Sequence, residues 1–524
     1  MNLTTEAWIP VVWNNGRPGT VSLREAFEAG HEIRDLAVRP HERIALMRLL
    51  ICIAQAALDG PNDEEDWANC RSKIGLESLT YLRNWHAAFE LLGDLRFLQV
   101  KGDGQLGKMD LDKLDFVDAD TTTLFNHDVG TGRQRTLERV ALGLVTYQSF
   151  AAGGTVGGSI ELAGRLQSQK GKNGPCRDRS AFHAFIRREN LVSTVHANLV
   201  AKQSISDLKN LDWGVPVWEA RATTLSELRK IGHFTKSYLG RLVPVSRAIW
   251  LQGDGATALN ANGLAYPSYA AEGIRDPTTS VRVTQGKDRR KLRVLLSAVD
   301  GRTIKKPWRE LHALTVKRIS DQGAGGPLAL ANLDDDEAFD LWVGALVASG
   351  AKIAKIEDTV ESSYAVFKGM LSAPTQRAYE AGVHHAEHWL RRLRCAIGIY
   401  RLAMETNEAT SEGPKIQRKR LKTPQRQRAG DIAGTACSIY WTLVEHRLEL
   451  LNSFALEPIP TLNGKMQYYE TDWGKHVRWA AGESYKYACA HETPRQIRAY
   501  ALGLRTLHTK NADTQPKGEE EAES

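Results

Sequence analysis

After Pro374 the character of the sequence changes: a mixed, glycine-interrupted pattern gives way to long stretches of helical period with almost no strand signal. That shift restricts the chain to a two-part α+β design. A large mixed domain is expected over residues 1–374 and an all-α four-helix bundle over 375–510. The bundle helices are predicted at Thr375 to Glu405, Ala429 to Ala455, Gly464 to Ala488 and Thr493 to His508. The last stretch, 511–524, holds five acids and one base and is expected to be disordered.

In the first part, Trp8 to Trp13 and the run at Val21 flank Asn14-Asn15-Gly16, a hairpin signal because Asn-Gly accepts positive φ cheaply. A helix is expected from Ser22 or Leu23. Apolar residues from Pro40 to Leu58 recur at three- and four-residue intervals, as a core-facing helix requires. Further predictions are a helix from Leu76 through Leu92, a surface loop from Asp118 to Gly132 and a strand from Val245 to Leu251.

Removing the acidic tail raises the formal charge from +7 to +11, which suits a polyanion or an acidic partner. The six cysteines form no C-x-x-C pair, so they read as reduced structural thiols rather than metal or redox ligands. The N-terminus has no signal-peptide pattern. The most apolar helix, Ala45 to Leu58, is too short to span a bilayer and contains Arg48, so a cytoplasmic protein with no membrane partner is expected.

Few strings carry catalytic chemistry. His384-His385-Ala386-Glu387-His388 fits H-x-x-E-H, which would support a metal-dependent hydrolase through His384 and His388. Its neighbours include three arginines, whose charge opposes a cation, and the bland reading is a polar helix face. No phosphate-cradling G-x-x-x-x-G-K-[ST] string or nucleophile triad occurs, and no cofactor is indicated. Basic clusters are more prominent: Arg289, Arg290 and Lys291 sit in one, and Lys305 belongs to a second. A third, from Lys415 to Arg428, contains Arg418, Lys419, Arg420, Lys422, Arg426 and Arg428 without one acid. It reads as an exposed arm that neutralises phosphates, against the alternative of a solvated basic loop. Gly153, Gly154, Gly157 and Gly158 read as a loop whose backbone can approach phosphates or a narrow groove, with ordinary turns as the competing use.

Taken together these pieces resemble the large subunit of the type I-E CRISPR surveillance complex, Cascade, over nearly the whole chain. Asn2-Leu3 with Trp8 to Val11 is similar to the family's opening strand. Thr123-Leu124-Phe125-Asn126 resembles its loop on the crRNA 5′ handle and neighbouring subunits, and Gln148 to Gly154 its glycine loop beside the protospacer-adjacent motif. Gly350 to Lys355 falls at the family's wedge hairpin, with Lys352, Ile353, Ala354 and Lys355 where Asn and Gln are common.

The resemblance implies a non-catalytic subunit of an antiviral ribonucleoprotein. It would read the motif in double-stranded target DNA through Gly153, Gly154, Gly157, Gly158 and the 352–355 hairpin, and start strand separation leading to an R-loop. Phe125 and Asn126 would contact crRNA or other Cascade subunits. The bundle would help hold opened DNA, and a recruited helicase-nuclease would do the cutting. Minor-groove reading distinguishes base pairs poorly, so several related motifs should be accepted. The alternatives are the hydrolase and a general RNA-binding scaffold.

Overall fold

A computed structural model describes residues 1–115, 135–162, 165–206, 208, 210–253, 255, 257–285, 291–300, 303–317, 325–348, 356–405, 423–457, 461–462, 465–466 and 468–508. The chain divides into two compact units, Met1–Leu371 and Ser372–Ser524. The fold is α+β, with the strands concentrated in the first unit and long helices in the second.

In the first unit, β1 (Ile9–Trp13) pairs with β2 (Pro18–Val21) around Gly16, whose φ of +81° is the conformation the Asn-Gly turn was expected to need. The strand β3 (Ile33–Leu36) completes this sheet. Ser22 and Glu25 form a reciprocal capping box on the helix Leu23–Glu28. The helix Pro40–Leu58 forms as its periodicity predicts and is buried on nearly every side.

A five-stranded sheet has the order β6-β5-β4-β9-β8. Its strands are β4 (Gln105–Met109), β5 (Gly154–Leu162), β6 (Arg165–Gly171), β8 (Arg247–Gln252) and β9 (Thr257–Asn262). Between β6 and β8 in sequence lies β7 (His183–Arg187). A hairpin of β10 (Val281–Gln285) and β11 (Lys291–Leu295) follows, then the short pair β12 (Val299–Asp300) and β13 (Thr303–Ile304). Finally β14 (Phe339–Ala348) is flanked by β7 and β15 (Ile356–Val366).

A buried polar lattice ties these elements together. Arg48 is 0% exposed. It pairs with Asp276, donates to the Leu242 carbonyl at 3.0 Å and to Thr278 Oγ1 at 3.2 Å, and also donates to the Arg241 carbonyl. His183 bonds Thr278 Oγ1 at 2.7 Å and the Cys176 carbonyl at 3.0 Å. Burial alone would disfavour the Asp276 carboxylate, yet Arg48 and His183 hold its pKa down to about 2. Burial drives His183 the other way from protonation, to about 4, and does the same to His41 with Arg39 adding to it.

These rings enter the fold neutral but are protonated in the unfolded chain below their ordinary value of 6.5. Stability is therefore fully present above about 6.5 and falls as pH drops towards 4, by up to about 3 kcal/mol per ring. Asp276 contributes above its unfolded value and loses that contribution only as pH falls towards 2, so it does not obscure this window. A urea midpoint clearly lower at pH 4.5 than at pH 7.5 is expected; equal midpoints would contradict the buried neutral histidines.

The second unit is built on the helix Ala373–Glu405, against which Thr423–Glu445, Leu448–Leu456, Asp472–Ala488 and Pro494–His508 pack. Buried aromatic side chains donate across the packing: Tyr440 to the Ala386 carbonyl at 2.7 Å, Trp473 to Gly382 at 2.8 Å and Tyr485 to Tyr500 at 3.0 Å. Arg392 donates to the Thr506 and Leu507 carbonyls and so caps the C-terminus of Pro494–His508.

Three predicted helices need correction. The one expected over Leu76 to Leu92 is Ile74–Asn84, followed by a 3-10 turn at His86–Phe89. The one expected over Ala429 to Ala455 starts at Thr423 and breaks before Leu448, where Arg447 leaves helical geometry. The one expected from Gly464 begins only at Asp472, capped by Thr471, after a two-residue strand pair and a 3-10 turn. Local period extends across such breaks because it does not register caps. The loop expected at Asp118 to Gly132 and the tail 511–524 lie outside the described residues. No helix among the described residues is long and apolar enough to cross a membrane.

Candidate nucleic-acid interface

The glycines expected to form a loop are largely in a strand. Gly154, Gly157 and Gly158 belong to β5, and only Gly153 precedes it. The strand is bulged: Thr155 pairs with Lys170 and Ser159 with Ser168, so Val156-Gly157-Gly158 face Gln169 alone. Gly154 and Gly158 take φ of +114° and +88°. A Cβ on Gly107 of β4 would lie 2.4 Å from the Gly158 nitrogen and 2.5 Å from the Gly157 backbone. The glycine cluster is thus a packing device as well as a candidate contact. Gly107→Ala is expected to destabilise the first unit by about 1–3 kcal/mol, read by chemical denaturation; an unchanged midpoint would mean that the strands separate freely there.

Arg247, 1% exposed, holds the foot of the β5–β6 hairpin. It donates to the Lys172 carbonyl at 2.9 Å, to Ser246 at 2.7 Å and to Ala152, reaching both ends of the hairpin. Gly174 N donates to the Ala151 carbonyl at 2.8 Å and Gly153 N to Asn173 Oδ1 at 2.6 Å. Burial lowers the Arg247 pKa and raises that of its neighbour Tyr147. No local pattern marked Arg247; its signal was an arginine opening an otherwise apolar strand.

Residues Lys352, Ile353, Ala354 and Lys355 lie outside the described residues, between the ends of β14 and β15. The stem below them is well defined, with ten register pairs from Phe339↔Val366 to Ala348↔Ile356. Trp342 Nε1 donates to Glu361 Oε1 at 2.7 Å across the two strands, and a Cβ on Gly344 would strike the same indole. Arg43 lies over the Trp342 ring, 3.7 Å from Glu361, and pairs with Asp35, which Arg187 reaches at 2.9 Å. Helix Pro40–Leu58 therefore anchors the hairpin stem.

Phe125 and Asn126 also fall outside the described residues, but both flanks of their segment are tied down. Arg139 reaches Glu42 at 2.8 Å and Asp115 at 2.7 Å, Arg135 reaches Asp112 at 2.6 Å and also pairs with Asp115, and Arg39 bonds Glu42 at 2.7 Å. Burial opposes ionisation of Glu42, yet Arg39 and Arg139 keep its pKa below the ordinary value.

The basic clusters divide. Arg289, Arg290, Arg418, Lys419, Arg420 and Lys422 lie outside the described residues, and Lys291 opens β11 opposite Gln285. Arg426 and Arg428 are not on a loop, as expected, but inside the helix Thr423–Glu445, with Arg428 exposed. Lys305 is buried and bonded to Glu310 at 2.6 Å, a structural pair rather than a surface cation. His384 is exposed, 4.0 Å from Glu380, while His385 accepts from Trp389 Nε1 at 3.2 Å and stacks on Tyr468. Among the described residues no three His, Cys, Asp or Glu side chains are grouped to hold a metal.

An α+β unit carrying a long anchored hairpin and a glycine-bulged sheet, followed by a helical unit, defines the fold class. The family model for CRISPR-associated protein Cse1 matches residues 2–483. The chain is 26% identical over 434 residues to CRISPR-associated protein CasA/Cse1 of Thermus thermophilus, covering 78% of each. A crystal structure of Thermus thermophilus CasA superposes with a TM-score of 0.72 at 20% identity, covering 97% of this chain and 98% of the other. Cse1 from Acidimicrobium ferrooxidans gives 0.67 at 19% identity, covering 97% and 96%. A chain of a CRISPR RNA-guided surveillance complex gives 0.68 at 15%, covering 97% and 99%. The chain belongs to the Cse1 family, the large subunit of type I-E Cascade.

Proposed function

We propose that the protein recognises a short protospacer-adjacent motif in duplex DNA within an RNA-guided complex, starts strand separation beside it and helps recruit a helicase-nuclease. It performs no bond-making chemistry itself. A relative of the same fold belongs to an RNA-guided surveillance complex, which supports crRNA and other Cascade subunits as partners. The guide reads most of the target by base pairing, so the protein's task is confined to a short motif and the first opened steps.

The observation that carries the reading is the β14–β15 stem. A long antiparallel ribbon braced by Trp342–Glu361 and by Arg43 makes a firm stem, as a wedge that splits base pairs requires. Opening costs about 1.4 kcal/mol per base-pair step on average, which a few phosphate contacts offset until the heteroduplex forms. Lysines at 352 and 355 suit that task, and the bulged β5 supplies backbone amides for a groove or phosphate contact.

Fluorescence of 2-aminopurine placed beside the motif reports opening. In the assembled complex, Lys352→Ala/Lys355→Ala is expected to reduce opening about tenfold while leaving guide-RNA assembly unchanged. Equal opening by the variant would remove the hairpin from the mechanism.

A further inference from the structure

Within the first unit, an open cleft of about 740 Å³ lies at the foot of the β7–β14–β15 sheet, at the end of β14 away from residues 349–355. One wall is a single row of the sheet, Arg187, Asp340 and Ala365, which stand side by side in register. The strand β3 contributes Arg34 to the lining. The volume is that of a ligand site, for which about 300–1,000 Å³ is usual.

The charges of the cleft fall into two sets. Arg187 is held by Asp35 at 2.9 Å, Arg188 pairs with Glu337, and Glu189 takes Arg71 and Ser193 Oγ, each at 2.9 Å. These three are satisfied within the chain. Arg34 and Asp340 are not: both are exposed, and neither has an ion-pair partner among the described residues, the other included. The cleft therefore offers one cation and one anion that the fold leaves unused.

Main-chain groups are left there too. The β7–β14 ladder stops at Arg187↔Asp340, and Arg188 N donates to Thr194 Oγ1 at 3.0 Å instead. The strand β14 runs one residue further, with Phe339 paired on the β15 side alone. The ladder opens where the free charges sit. A nucleic-acid backbone in this cleft would meet Asp340, and a run of cations would meet Arg34. A polypeptide brings carboxylates, cations and peptide groups together, and adds to open strand edges through main-chain bonds.

We infer that the cleft seats an extended peptide segment of another Cascade subunit, with a carboxylate on Arg34, a Lys or Arg side chain on Asp340 and main-chain bonds where the β7–β14 ladder ends. The inference takes from the proposed function only that other Cascade subunits are partners.

The test is titration of the full chain onto a guide-RNA assembly reconstituted from the other Cascade subunits and immobilised through the RNA, read by biolayer interferometry. Arg34→Ala and Asp340→Ala should each weaken binding about tenfold, with urea midpoints equal to the parent's because both side chains are exposed. The exchange Arg34→Asp/Asp340→Arg should bind no better than either single variant, since each partner charge then meets its like. Recovery by the exchange would mean that the two residues pair with each other, and overturns the seat. Binding unchanged by both single variants overturns it as well. Weakening by Arg34→Ala with tightening by Asp340→Ala would place an anion such as the guide RNA in the cleft and reject a peptide. Opening beside the motif, followed with 2-aminopurine at saturating chain, reports separately on the proposed function: a parent that opens no duplex rejects motif reading and leaves the assembly result standing.

Discussion

Arg48→Met is expected to destabilise the first unit by about 3–5 kcal/mol, because it leaves Asp276 as a buried charge without its partner. The carbonyls of Arg241 and Leu242 and the Thr278 hydroxyl lose a donor at the same time. The double variant Arg48→Met/Asp276→Leu should recover much of the loss, since an apolar pair of similar volume removes the desolvation cost of both ions. Urea unfolding followed by circular dichroism measures both. A single variant as stable as the parent would mean that water reaches this lattice.

Arg247→Met is expected to cost about 3 kcal/mol and to loosen the β5–β6 hairpin, because the Ala152, Lys172 and Ser246 carbonyls lose one shared guanidinium. Arg247→Lys should rescue only part, since an ammonium lacks the planar fork that reaches both ends. Limited proteolysis should cut residues 153–172 faster in the Met variant. If motif reading depends on a fixed β5, selectivity for motif-bearing duplex should fall as well, in protein kept below its unfolding transition. A variant with the parent's cleavage rate and selectivity would show that the hairpin holds itself.

Local chemistry was readable from the sequence where the partners are near in the chain. The Asn14-Asn15-Gly16 turn, the helix Pro40–Leu58 and the long helix beginning at Ala373 follow from turn residues and period alone. The glycine cluster at 153–158 is legible in the sequence, but its setting is not, because Gly157 and Gly158 pack against Gly107 on a strand some fifty residues earlier. The Arg43–Glu361 and Arg139–Glu42 contacts join residues far apart in sequence and leave no local trace. Arg48 did leave one: an arginine in the most apolar helix implies a buried partner, though nothing in the sequence says it is Asp276. Basic residues were harder to sort, since Lys305 and Arg428 look alike in sequence and one is buried against Glu310 while the other is exposed.

The central claim is motif reading in duplex DNA, and the most direct measurement is binding of the chain, with and without its guide-RNA assembly, to duplexes from a randomised motif library at two salt concentrations. The account predicts enrichment of a small set of related motifs beside the guide-matched target, reduced by Lys352→Ala and by Gly158→Val. Equal binding to every duplex, with a steep salt dependence and no effect of either substitution, would contradict it and leave only the basic surfaces at work.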